Sequence, residues 1–151
     1  MSAATVQSET SEVITRSVLE HELPFVLDSW VKSYQALMPG YAATYGMSRW
    51  DWTKHCAQWA TSHAVVMVAV VEDYPEVILG WACADDATLH YAYTKSPLRR
   101  RGIATQLVEA LGLASRRGVR LTHRPSKGRN LRALCDAKGW QYRPLTKDEM
   151  R

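Results

Sequence analysis

Three consecutive arginines, Arg99, Arg100 and Arg101, lead into Gly102 and then into apolar residues at helical spacing: Ile103, Leu107, Val108 and Leu111. Before them, Leu89-His90-Tyr91-Ala92-Tyr93-Thr94 alternates as a strand does, and a short loop with Pro97 comes next. Strand, basic glycine-containing loop and helix together can hold a phosphate. Amides in a helix's first turn lack partners within the helix, and the helix dipole favours an anion there. Gly102 has no Cβ to keep a pyrophosphate off the backbone. The bland alternative is a solvated basic loop at a structural helix start.

The elements that position this loop can be read on either side of it. Residues 1–11 are expected to form a disordered tail, and 12–151 a single domain. Val13 to Val18 predicts a first strand. Pro24 suits a helix start, and Phe25, Val26, Leu27, Trp30, Val31, Tyr34 and Leu37 give that helix an apolar stripe. A loop over 38–47 comes next, and Ser48 is placed to cap a second helix over Arg49–Ser62. Ala64 to Glu72 and Val77 to Ala84 predict a hairpin turned by Asp73-Tyr74-Pro75-Glu76, and Asp85-Asp86 a further turn. The loop's own helix is expected over Arg101–Arg117, stopped by Gly118. Val119 to His123 predicts a strand, Asn130 to Ala137 a helix stopped by Gly139, and Trp140 to Arg143 a last strand. This succession implies α/β architecture, a mixed sheet flanked by helices. It leaves the strand order open.

At 151 residues, 46% of them hydrophobic, the chain suits one globular domain with a real core. No apolar run approaches a membrane span, and residues 1–12 lack the pattern of a signal peptide, so a cytoplasmic protein is expected. Cys56, Cys83 and Cys135 are few, odd in number and far apart, which argues against disulfides and against a metal site. They read as small buried apolar residues. Charge is segregated: residues 1–89 carry a net −7 and residues 90–151 a net +11. The second half should attract polyanions, CoA phosphates or nucleic acid.

Arg99-x-x-Gly102-x-Ala104 matches Q/R-x-x-G-x-G/A, and on that pattern the chain resembles the GCN5-related N-acetyltransferase superfamily. The order β-α-α-β-β-β-α-β-α-β extends the resemblance over nearly the whole chain. The resemblance implies a mostly antiparallel sheet splayed between its fourth and fifth strands, with acetyl-CoA or another acyl-CoA laid in the gap. By position, the backbone of Tyr93 and Thr94 would bind pantetheine. The amides from Arg100 through Ile103, Ala104 and Thr105 would cradle the pyrophosphate, with Arg99 and Asn130 at cofactor-binding positions.

Transfer to an amine needs a base, an oxyanion stabiliser and often an acid for the thiolate. No glutamate stands on the fourth strand, but His90 does, and imidazole has a suitable pKa. His123, after the fifth strand, is the other candidate base. Either could instead make a structural hydrogen bond. Asn130, Ala133 and the closing Gly139-Trp140 fit the superfamily's later pattern, but two residues are missing between them and the usual tyrosine acid is absent. Cys135, Tyr142 or water remain as proton donors.

In such proteins the first two helices and their loop shape the acceptor pocket, which would place Trp30, Tyr34, Tyr41 and Tyr45 around the amine. Six Trp and seven Tyr stand against one Phe, a balance suited to stacking planar or cationic groups, though Trp30 and Tyr34 also fit a helix core stripe. The acceptor could be a small molecule, a peptide or protein amine, or a modified nucleobase. For nucleic acid, Arg116, Arg117, Arg120, Arg124, Lys127, Arg129 and Arg132 are the available cations. In its compact length, basic second half and stacking-type aromatics the chain resembles short acetyltransferase-like proteins of bacteria and their phages. The chain could act as a monomer or homodimer. A non-catalytic acyl-CoA or nucleic-acid binder is the alternative.

Overall fold

The computed structural model describes residues 12–34, 46–95, 98, 102–124 and 129–151, with only the backbone at 129 and 130. Strand β1 (Val13–Ser17) leads through a 3₁₀ turn at Glu20–Glu22 into helix α1 (Leu23–Ser33). Helix α2 (Arg49–His63) precedes β2 (Val65–Val71), β3 (Tyr74–Ala84) and β4 (Thr88–Thr94). Helix α3 (Ile103–Ala110), β5 (Arg120–Leu121), α4 (Arg129–Lys138) and β6 (Gln141–Tyr142) are the remaining elements among the described residues. The six strands lie in sequence order in one sheet. β1 to β4 are an antiparallel meander, whereas β4, β5 and β6 run parallel. Parallel neighbours require crossovers, and α3 and α4 supply them. The expected mixed, mostly antiparallel α/β sheet is therefore the one observed.

Alternation along the strands sorts the core into two layers. Ala69, Ala82, Ala84, Leu89 and Ala92 pack with Ile103, Leu107, Leu131 and Cys135 of α3 and α4. On the other face Val68, Val70, Trp81, Cys83 and Tyr91 pack with Val26 and Trp30 of α1 and Ala57 and Ala60 of α2. All three cysteines are free and buried, in keeping with their reading as small apolar residues. Burial pushes the Cys56 thiol up to about 12. No described helix is long and apolar enough to cross a membrane.

The local signals hold in part. Pro24 sits in the first turn of α1, and Ser48 Oγ accepts from the Asp51 amide at 3.0 Å to cap α2. Helix α1 stops at Ser33, where Tyr34 turns extended, rather than continuing to Leu37. Helix α3 ends at Ala110 and not at Arg117. Gly112, at φ 77°, takes the left-handed position after the helix, with Gly112 N donating to Glu109 O and Leu113 N to Val108 O. That pair of bonds closes a helix C-terminus, and Leu113 and Val108 share the core beneath it. The hairpin turns at Glu72-Asp73, so Tyr74, Pro75 and Glu76 belong to β3, with a bulge where Val70 faces Ile78 and Val71 faces Tyr74. β5 and β6 are two residues each, shorter than the strands expected over Val119–His123 and Trp140–Arg143. The expected tail over 1–11 lies outside the described residues.

An irregularity in β4 decides which face His90 meets. Ala84 pairs with Leu89 and Cys83 with Tyr91, so His90 is an extra residue in the strand. Such a bulge lets consecutive side chains share a face. His90 and Tyr91 accordingly both meet the α1–α2 layer, His90 edge-on to Trp59 and Tyr91 stacked on Trp30.

Candidate functional site

β4 and β5 are joined by only two register pairs, Thr88 with Arg120 and Leu89 with Leu121. Arg120 N to Ala87 O at 2.9 Å and Thr122 N to Leu89 O at 3.2 Å extend the ladder at its two ends, and among the described residues the strands pair no further. Among the described residues the pairing therefore stops short of the carboxyl ends of the three parallel strands, and this unpaired interval is the candidate gap, at the end where open α/β sheets take their ligands. The first turn of α3 stands at that end. Gly102 caps it in the left-handed region, φ 75° and ψ 14°, and a Cβ there would meet nothing within 4 Å. Gln106 N donates to Gly102 O at 2.9 Å as the first helical bond. The amides of Ile103, Ala104 and Thr105 precede that bond and have no acceptor within the helix. No acidic residue occupies this turn. Arg99, Arg100 and Arg101 lie outside the described residues, as do Tyr41 and Tyr45. Asn130 falls in the first turn of α4, where its backbone alone is described.

The strand side of the gap needs a correction. A Cβ on Gly80 of β3 would stand 2.5 Å from the Tyr93 carbonyl oxygen, so that carbonyl faces β3 and not the gap. Lys95 N donates to Leu79 O, and Gly80 is opposite Thr94. Alternation along the antiparallel pair then turns the polar backbone of Ala92 and Thr94 toward β5. Of the two positions expected to hold pantetheine, Thr94 directs its polar backbone to the β5 side, as Ala92 does, and Tyr93 directs its own to β3, with its ring packed edge-on to Phe25. The side-chain alternation of the sequence does not reveal which backbone groups face which neighbour, because that depends on the register with β3.

The two candidate bases are brought together. Thr122 Oγ1 lies 2.9 Å from His90 Nδ1 and 3.0 Å from His123 Nδ1, and 3.3 Å from the His90 carbonyl oxygen. Both imidazoles are buried, at 2% and 6% exposure. Burial holds both well below the ordinary histidine value, His90 at about 4 and His123 at about 3. Both are neutral near pH 7. His90 Nε2 is buried without a hydrogen-bond partner, with Asp85 Oδ2 3.7 Å away. His123 is walled by Trp30, Tyr34 and Tyr91 at centroid separations of 5.1, 4.7 and 6.0 Å. Thr122 gave no signal in the sequence, where it is one β-branched residue in a short strand.

Other assignments separate. Cys135 belongs to the α3–α4 layer, across the sheet from the histidines, with its thiol raised to about 11 by burial. It is a core residue and not the acid at this site. Trp30 is fully buried, stacked on Tyr91 and packed on Trp81, so it supports the wall and does not line an open pocket. Tyr34 remains at the gap's end, its hydroxyl accepting from Arg124 N at 3.3 Å. Tyr142 lies under the Arg124 guanidinium, 4.7 Å from the ring centroid, and burial raises its hydroxyl above the ordinary tyrosine value.

Among the cations considered for nucleic acid, Arg120 is committed elsewhere. Its guanidinium grips Glu149 at 2.6 and 2.9 Å and donates to the carbonyls of Arg143 and Pro144. Arg116 donates to the Asp86 carbonyl. Arg117, Arg124 and Arg132 are exposed. Lys127 and the side chain of Arg129 lie outside the described residues.

No protein-family model matches the chain, and no curated protein matches it. Solved structures do. The apo form of YjaB from Escherichia coli aligns at 18% identity over 66% of this chain and 64% of that one, with a TM-score of 0.48. A GNAT family acetyltransferase from Brucella melitensis, in complex with acetyl-CoA, aligns at 14% identity over 80% of this chain and 82% of that one, TM-score 0.47. An N-acetyltransferase from Staphylococcus aureus Mu50 aligns at 20% identity over 67% and 64%, TM-score 0.43. The chain thus spans 64% of the length of the first structures it matches.

Proposed function

We propose that this chain is an acyl-CoA-dependent N-acyltransferase of the GCN5-related kind, moving an acetyl group from acetyl-CoA to an amine in one ternary complex. The observation that carries this is the two-rung β4–β5 ladder opening beside the first turn of α3, on the sequence Arg99-x-x-Gly102-x-Ala104. In this reading the amides of Ile103, Ala104 and Thr105 take the pyrophosphate. Pantetheine runs along Ala92 and Thr94 as an added strand would, and the thioester reaches the level of Tyr91 and His123. His123, one residue further into the gap than Thr122, is the base that meets the amine, and His90 stands behind it. Tyr142, at the carboxyl end of β6 on the same side, is the protonated hydroxyl available to the leaving thiolate. Tyr34, with Tyr41 and Tyr45 from the sequence, shapes the acceptor side.

The burial of both histidines favours a second reading, an acyl-CoA binder without turnover. Amine-dependent release of free thiol separates the two. The cofactor site itself is tested by calorimetric titration with acetyl-CoA. Wild type should bind, and Gly102→Glu should lose about 100-fold in affinity, since a carboxylate would enter an anion site. Gly102→Asn tolerates the left-handed backbone and serves as the control for strain. No binding by wild type, or equal affinity in a folded Gly102→Glu, would overturn the assignment.

A further inference from the structure

The histidines, with Thr122 between them, do more than supply a base. We propose that His123, Thr122 and His90 form a neutral proton wire, carrying the proton shed by an ammonium acceptor out of the gap to Asp85 at the opposite end of the strands. The proposal rests on the acyltransferase reading, because an amine that arrives protonated must lose one proton to bulk water for every amide formed.

The geometry gives the wire its direction. Leu89 is opposite Leu121, so His90 stands level with Thr122, and His123 lies one residue nearer the open end. Asp85 comes directly after β3 at the other end, with its carboxylate 47% exposed. In the resting arrangement His123 Nδ1–H donates to Thr122 Oγ1, the Thr122 hydroxyl donates to His90 Nδ1, and His90 Nε2–H points toward Asp85. His123 Nε2 accepts the proton of the ammonium. Its Nδ1 proton passes to Thr122 Oγ1, the Thr122 hydroxyl proton passes to His90 Nδ1, and the His90 Nε2 proton leaves to the Asp85 carboxylate and then to water. Each group gives up one proton for the one it receives, so no imidazolium persists in the aromatic layer. That matters because a charge there is costly, as the depressed values of both rings show. The groups facing the wire are Asp85 from the β3–β4 turn, Arg120 from β5, Glu149 from the C-terminal segment, Tyr34 from the end of α1 and Tyr91 from β4. His90 Nε2, which has no hydrogen-bond partner, faces Asp85 Oδ2 at 3.7 Å, while the other carboxylate oxygen, Oδ1, accepts from Ala87 N at 3.2 Å.

The competing arrangement is specific. Thr122 Oγ1 also lies 3.3 Å from the His90 carbonyl. If its hydroxyl donates there, both imidazoles donate to Thr122 and the chain is broken.

Long-range proton–nitrogen spectra of the full-length, ligand-free protein with labelled histidine distinguish these. The wire requires His123 as the Nδ1–H tautomer and His90 as the Nε2–H tautomer. His90 as the Nδ1–H tautomer would overturn it. The second readout uses solvent water as the probe. Thr122→Val should slow exchange of the His123 ring N–H with water about tenfold, and Thr122→Ser should restore it. A purely structural Thr122 would give faster exchange on its removal. Asp85→Asn, at an exposed site, should slow exchange in the same way even where Thr122→Val fails to fold. Exchange unchanged in Asp85→Asn overturns the wire. Failure of wild type to bind acetyl-CoA would overturn the acyltransferase reading, and the wire's purpose with it. Binding retained with the wrong tautomer overturns the wire alone.

Discussion

Two neutral imidazoles buried side by side make this protein sensitive to acid. Unfolded, both titrate near 6.5, and folded, at about 4 and about 3. Between those values the unfolded chain binds more protons, so their contribution is complete above pH 6.5 and is lost as pH falls toward 3. The slope should approach two protons at its steepest, about 3 kcal/mol per pH unit. Urea unfolding at pH 4.5, 5.5, 6.5 and 7.5 measures it. His90→Asn should reduce the slope by nearly one proton between pH 4.5 and 6. A flat stability profile over that range would show that the histidines are not buried as neutral groups. Glu22, held below the usual carboxylate range by Arg16, and Glu149, held at about 2 by Arg120, act in the same direction at lower pH.

At the scale of elements, β5 is two residues long, and a side chain rather than a ladder holds the chain beyond it. Arg120 spans from β5 to Arg143, Pro144 and Glu149. Glu149 and Thr146 close a reciprocal box, Thr146 N donating to Glu149 Oε1 and Glu149 N to Thr146 Oγ1. The clamp seats Leu145 with Trp52 and Cys56 of α2. Arg120→Ala should cost about 2 kcal/mol through the lost carbonyl bonds. Glu149→Gln should cost about 1 kcal/mol or less, because solvent screens that partner. Urea midpoints rank the two, and a shift in Trp52 fluorescence should accompany the first. An Arg120→Ala protein as stable as wild type would deny the clamp.

Arg120 also marks the limit of what the chain discloses as sequence. In a basic half it reads as one more surface cation, and only the fold gives it partners from 143 to 149. Helices with local punctuation were legible, as Ser48 before α2 and Pro24 in α1 show. The end of α3 was not, since Gly112 and Gly118 both stand where a helix can stop and tertiary packing of Leu113 chose the first. Within the site, Gly102 and the first turn of α3 were legible from residue types alone. Thr122, Ala92 and the isolation of Cys135 depend on strand register and on which sheet face each residue meets.

Across the whole molecule the sheet is unequally stitched. β1 is matched to β2 over five residues and pinned by Arg16 on Glu22, whereas β6 meets β5, and β5 meets β4, over two each. Consider the protein pulled between its ends, as in an optical trap. The C-terminal edge can peel rung by rung, while the N-terminal edge must break a longer ladder. The first rupture should free the chain from Arg120 onward, an extension of roughly 100 Å at about 3.4 Å per residue. The β1–β4 meander should survive as an intermediate. A single rupture of the entire chain would contradict this. The weak seam is also the gap where we place the acyl donor. A molecule lying across it ties the two parts together, so acetyl-CoA should raise the force of the first rupture and leave the second unchanged. The opening that admits the ligand would then be the place where the unloaded protein tears.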